Sequence, residues 1–268
     1  MHFSMTLPTL FVPHGAPTFA LRPGAAGAAL SDLAREIERP KAIIVISPHW
    51  ETREPTVGSA ADLETIYDFA GFPRELYTLT YPAHSDALLA QRVADCLQVA
   101  GYPARIDSHR GLDHGAWVPL RMMYPAADIP VIPLSIKAHA GAAHHYALGL
   151  ALQPLADEGF LIIGTGSITH NLRDYMICMH NNLPTPDYVT HFADWINQRL
   201  QAHDINALVD FRKTSPDALQ AHPSDDHFMP FFVVLGAAGA DAVAERFFAG
   251  VDDLVIAMDG YHFKRAVQ

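Results

Sequence analysis

The run "KAIIVISPHWE", residues 41–51, places Ile43, Ile44, Val45 and Ile46 in succession before a Ser-Pro pair. An unbroken β-branched run without polar alternation is the pattern of a strand buried on both faces. This strand ends at His49. Outward from it, "PTLFVPHG" (8–15) reads as a short apolar strand ending at His14, and "IPVIPLSI" (129–136) as another. "FLIIGTGSITHNL" (160–172) is a strand running into a glycine turn that presents His170, and "LVIAMDGYHF" (254–263) is a closing strand. Helical patterns fall between them. "SDALLAQRVADCLQVAG" (85–101) has a Ser85 cap signal and a Gly101 stop, and a short strand follows near Ala104 to Asp107. "HHYALGLALQPLADEG" (144–159) reads as an amphipathic helix and "PDYVTHFADWINQRLQAHD" (186–204) as a long one. "HPSDDHFMPFFVVLGAAGAD" (222–241) reads as a loop carrying His222 and His227 that opens an apolar helix. Alternating buried strands and helices predict a three-layer α/β/α fold with a mostly parallel central sheet. No repeat or linker divides the chain, so residues 1–268 are expected to form a single catalytic domain.

In open sheets of this kind, ligands bind beyond the carboxyl ends of the strands. His14, His49 and His170 each follow a strand, so parallel strands would bring all three rings to one edge. The chain carries 16 histidines against 18 Lys plus Arg. His2, His84, His139, His180, His191, His203 and His262 sit in unremarkable contexts and are expected on the surface or as satisfied core residues. A formal charge of -11 argues against a nucleic-acid partner and for a small-molecule substrate. Cys96 and Cys178 form neither a CxxC pair nor a disulfide framework, which suits a reducing compartment. No leader pattern and no apolar stretch of membrane-spanning length is evident, so a cytoplasmic monomer or small homo-oligomer without membrane contact is expected.

Neutral imidazoles suit Fe(II), Zn(II) and other borderline ions, and the scarcity of cysteine argues against thiolate zinc sites and iron–sulfur clusters. His227 joins the candidates because Asp225 and Asp226 precede it and could accept from its ring. His114, in "RGLDHGAWVPL" (110–120), could cap a helix, fill a polar hole in the core or move a proton. Asp113 could fix its tautomer or cap the following helix.

Six segments in order, "VPHGAP", "ISPHWE", "IYDFAGFP", "RGLDHGAWVPL" with "MYPAADIPV", "IIGTGSITHNLR" and "HPSDDHFMPFFVVLGAAGAD", closely resemble the DOPA 4,5-extradiol dioxygenase type of class III ring-cleaving dioxygenases. The resemblance implies a metal held by His14, His49 and His227. His170 is either a further ligand or an acid/base, and His114 a group for substrate hydrogen bonding and proton transfer. Members of this type usually carry a proline and glutamate before the last ligand, where this chain has Asp225 and Asp226. The resemblance further implies cleavage of a catechol-type aromatic diol with incorporation of O2. Fe(II) is the expected catalytic ion, because Zn(II) is redox-silent, although Zn(II) is a plausible occupant of purified protein. Tyr67, Phe69 and Phe72 are expected to line the aromatic pocket. Two other readings of the same histidines are a zinc-dependent hydrolase and a non-enzymatic binding protein that keeps the pocket.

Overall fold

The computed structural model describes residues 6–137 and 139–265. His2 and its expected exposure lie outside the described residues. Ten strands are present: β1 (Thr9–Pro13), β2 (Ala42–Thr52), β3 (Thr56–Gly58), β4 (Arg105–Asp107), β5 (Val131–Lys137), β6 (Phe160–Gly166), β7 (Ala242–Phe248), β8 (Val251–Asp252), β9 (Ile256–Ala257) and β10 (Gly260–Arg265). Eight form one sheet in the order β4-β3-β5-β2-β6-β1-β10-β7, and β8 pairs with β9 in a small hairpin beside it. The centre, β5-β2-β6-β1, is parallel throughout. β10 pairs antiparallel with both β1 and β7, and β3 antiparallel with β5.

The β-branched run of residues 43–46 is fully buried in β2, which is what a strand covered by helices on both faces requires. The helix Met229–Ala238 packs against β6, β1 and β2, and the helix Gly141–Asp157 packs behind it. The helices His114–Met123 and Gly24–Glu36 pack together on the other face. Every residue of Met229–Ala238 is buried, as expected for a helix held between the sheet and a second helix.

Local chemistry moves some boundaries. The helix after residue 85 is capped by Asp86, whose carboxylate accepts from the Leu88 and Leu89 N–H groups, and not by Ser85. It ends at Val99, with Gly101 at φ +89° just beyond. β7 has no counterpart among the strands expected from the sequence. It alternates buried Ala242 and Ala244 with exposed Val243 and Glu245, the pattern of an edge strand. The closing segment 254–263 divides between two strands, β9 and β10, separated by Met258 and Asp259. Among the described residues, no helix is long and apolar enough to cross a membrane. Cys96 and Cys178 are free and buried.

Candidate metal and active site

The parallel strands deliver two histidines to one edge. Pro13 of β1 pairs with Gly166 of β6, and the N–H of the next residue, His14, still donates to the Gly166 carbonyl at 3.3 Å. On β2 the register slips: Ile46 faces Leu134 and Glu51 faces Ile136, so residues 47–50 stand opposite Ser135 alone. Pro48 has no N–H for the ladder, and the resulting bulge turns His49 out of the sheet at its carboxyl edge. His114 opens the helix His114–Met123, with Asp113 as its N-cap accepting from the Ala116 N–H at 3.3 Å. His227 lies in a 3-10 turn, Asp226–Phe228, that runs into the buried helix. Its carbonyl accepts from the Ser167 N–H at 3.2 Å. That approach requires Gly166, because a Cβ there would overlap the His227 carbonyl oxygen.

The rings meet in one place. The Nε2 atoms of His14 and His49 are 3.4 Å apart. Two nitrogens bound at about 2.0–2.1 Å to one tetrahedral ion stand about 3.3 Å apart, so this spacing fits a shared metal. The ring centroids of His14, His49 and His227 form a near-regular triangle of 5.2, 4.9 and 5.4 Å. Three imidazoles around one tetrahedral ion would give about 5 Å on each side. His114 is close as well: its donor nitrogen and those of His14 and His49 all lie within 4.8 Å of one another. His170 stacks flat on His227, with centroids 3.5 Å apart and planes 6° from parallel.

Burial favours the neutral form of His14, His49, His170 and His227, the form that binds metals. Desolvation, reinforced by neighbouring histidines, lowers His14 well below the usual histidine range. Desolvation likewise lowers His49 to about 4 and His227 to about 3, and it lowers His170. The outer nitrogens of several rings are held by carboxylates. Asp226 accepts from His227 Nδ1 at 2.5 Å, leaving Nε2 for the site. Asp225 is turned elsewhere, paired with Arg212 at 3.2 Å. Asp68 accepts from His114 Nδ1 at 2.9 Å and lies 3.4 Å from His49 Nδ1. Asp113 therefore does not set the His114 tautomer. Besides capping the helix, it accepts from Ser47 Oγ at 2.5 Å and pairs with Arg110 at 2.8 Å, bracing the β2 bulge.

The histidines floor a cavity of about 740 Å³ whose apolar wall includes Phe69, Phe72, Leu172, Tyr175 and Met176. Tyr67 lies outside that lining. Its hydroxyl donates to the Leu79 carbonyl at 2.8 Å and its ring lies edge-on to Trp117, so it supports the loop from behind. Of the histidines expected to be unremarkable, His84, His139, His180, His191 and His203 are exposed, and His262 is buried and paired with Glu245 at 2.7 Å. The sequence reading missed Asp68. Its signal was present, a carboxylate inside "IYDFAGFP", but the aromatic residues on either side were the ones noticed.

Comparison with known proteins gives a consistent result. Residues 24–251 match the family described as the catalytic LigB subunit of aromatic ring-opening dioxygenase. The chain is 40% identical over 259 residues to the 4,5-DOPA dioxygenase extradiol of Beta vulgaris, covering 95% of this chain and 96% of the relative. It is 35% identical over 238 residues to a protein of that name in Escherichia coli, covering 87% and 86%. A crystal structure of an uncharacterized protein from Escherichia coli K12 superposes with a TM-score of 0.79 at 29% identity, covering 96% of this chain and 99% of that one.

Proposed function

We propose, since the chain belongs to the family of catalytic LigB subunits of aromatic ring-opening dioxygenases, that its histidine-floored cavity binds Fe(II) and opens the ring of a catechol. The enzyme is an extradiol ring-cleaving dioxygenase. The substrate ring breaks at a carbon–carbon bond beside the two hydroxyls, and both atoms of O2 enter the product, so catechol plus O2 balances without a further reductant. We assign the whole chain to one catalytic unit, acting in the cytoplasm on a small aromatic diol.

The observation that carries the assignment is the gathering of the His14, His49 and His227 rings around one point, with centroids 4.9 to 5.4 Å apart and the Nε2 atoms of His14 and His49 at 3.4 Å. These three are the proposed ligands. Bound there, Fe(II) supplies electron density to O2 and open positions for the two catechol oxygens. We read His170 as an acid/base that would stand beside a bound ion and not ligate it. An imidazole ligates in its own plane, and parallel planes stacked as those of His170 and His227 are cannot both contain the same ion. His170 and His114 then handle protons. The His114 Nδ1–H is spent on Asp68, so its Nε2 faces the cavity as an acceptor for a catechol hydroxyl proton. Phe69 and Phe72 form the wall against which the ring lies.

A second set, His14, His49 and His114, is favoured by the close approach of its donor nitrogens. Metal content separates the two: loss with His227→Ala and retention with His114→Ala supports the first, and the reverse supports the second. The test of function is anaerobic Fe(II) reconstitution followed by a panel of catechols and matching monophenols. Oxygen uptake and a yellow ring-opened product with catechols alone are expected. Equal turnover of monophenols, or product formed without O2, would overturn the proposal. Ester or amide cleavage by a zinc-loaded, oxygen-free preparation would favour a hydrolase.

A further inference from the structure

We infer that Asp68 is a positioning residue that sets the tautomers of two site histidines at once, presenting the bare Nε2 of both His49 and His114 to the same void. Its Oδ1 accepts two bonds from His114, one from the backbone N–H and one from ring Nδ1, each at 2.9 Å. Its Oδ2 lies 3.4 Å from His49 Nδ1. The rings it serves come from different elements, the β2 bulge and the start of the His114–Met123 helix, and their centroids are 4.2 Å apart. A carboxylate has only acceptors, so the His114 Nδ1 that bonds to it carries the proton, and its charge favours a proton on the His49 Nδ1 as well, which lies near it without a formed hydrogen bond. With Nδ1 protonated, a neutral imidazole keeps its lone pair on Nε2, and it is the Nε2 of His49 that meets the Nε2 of His14. Without Asp68, the His114 Nδ1 loses its partner and His49 loses one of the two carboxylates that act on it, Asp113 being the other.

The substitution that tests this is Asp68→Asn, because an amide offers one accepting oxygen and one donating NH2. The two donors of His114 claim the oxygen. The NH2 then faces His49, whose Nδ1 must accept, so its proton moves to Nε2 and the lone pair aimed at the site is lost. In the metal-free protein at pH 7.5, ¹⁵N NMR of the histidine rings should show His49 and His114 as Nδ1–H tautomers. In Asp68→Asn, His49 should switch to Nε2–H while His114 keeps its form. Zn(II) affinity, measured by chelator competition, should fall by about 10- to 100-fold, the range for loss of a partner that orients a ligand. The melting temperature of the metal-free variant should stay close to that of the parent, because the cap on the His114 N–H is retained. Asp68→Ala, which also removes that cap, serves as a second variant and should leave both rings as tautomer mixtures.

Unchanged tautomers at both rings in Asp68→Asn would overturn the inference, whatever the metal does. Only the affinity measurement rests on the reading of His49 as a ligand, and His49→Ala checks that separately. If His49→Ala keeps stoichiometric Zn(II), the ligand assignment fails, while the NMR result still decides the role of Asp68.

Discussion

His114 and His170 line the same cavity, one packed against His49 and the other against His227, and their substitutions should behave alike in one respect and differ in another. His114→Ala should keep the metal and lower turnover by roughly 100-fold or more, the range for a positioned proton-transfer group. His170→Ala should also keep the metal and lose turnover, but it removes the ring stacked on His227 and should therefore weaken metal retention under chelator challenge. Metal analysis and turnover on one preparation separate the two, and full activity in either variant would remove that residue from the chemistry. The histidines were legible because their strands and motifs were legible. Their partners were less so. Asp113 adjoins His114 in sequence yet serves the helix cap and the bulge, whereas Asp68, 46 residues earlier, holds the ring. Proximity along the chain favours caps and turns. A partner recruited across the fold leaves no periodicity to read.

At the scale of elements, β2 and the buried helix Met229–Ala238 do most to set the geometry. The helix brings His227 to the end of β6, and its own position depends on the glycines where it crosses Gly141–Asp157. A Cβ at Gly149 would overlap the Val233 carbonyl oxygen, and one at Gly236 the Tyr146 carbonyl oxygen. Gly149→Ala should therefore push the helices apart, destabilising the fold by about 1–3 kcal/mol. It should also weaken metal binding, because His227 moves with its helix. Urea titration and chelator competition check the two effects, and a variant as stable as the parent would mean that the crossing tolerates a methyl group. Apart from the exposed β4, the strands recognised from sequence were mostly buried, apolar runs, where residues have no polar alternation to obscure them. β7 was invisible for the opposite reason: Glu245 and Arg246 interrupt its apolar character, and two-residue alternation on an edge resembles a polar loop. The bulge at residues 47–50 was hidden too, although Pro48 is its physical cause, because a register slip exists only relative to a neighbouring strand.

The molecule as a whole buries histidines away from the site as well. His145 accepts from the Lys137 N–H on Nε2 and donates to the Gly141 carbonyl from Nδ1, so both nitrogens are committed to the neutral ring. Burial lowers His145 to about 4 and His222 to about 3. In the unfolded chain both would titrate near 6.5. The unfolded state then binds more protons below that pH, so the stability these rings contribute is complete above about pH 6.5 and is lost as pH falls toward 4 and 3. The metal-free protein should melt lower at pH 5 than at pH 7.5, by on the order of 10 °C. An unchanged melting temperature across that interval would show that the buried rings are protonated in the fold without penalty. The parallel centre of the sheet could be foreseen from the alternation of elements, but not its antiparallel flank, since nothing in β10 taken alone says that it runs against β1. That flank has a consequence for how the protein comes into being. The strand β1 lies between β6 and β10, which are made roughly 150 and 250 residues later, and His14 and His227 stand roughly 210 residues apart in the sequence. During synthesis β1 has no neighbour in the sheet until β6 has been made, and its other edge stays open until β10 follows about 100 residues later. Closure of such distant contacts is slow, so the proposed ligand set is completed late, and a metal bound there would report a finished fold and not seed it.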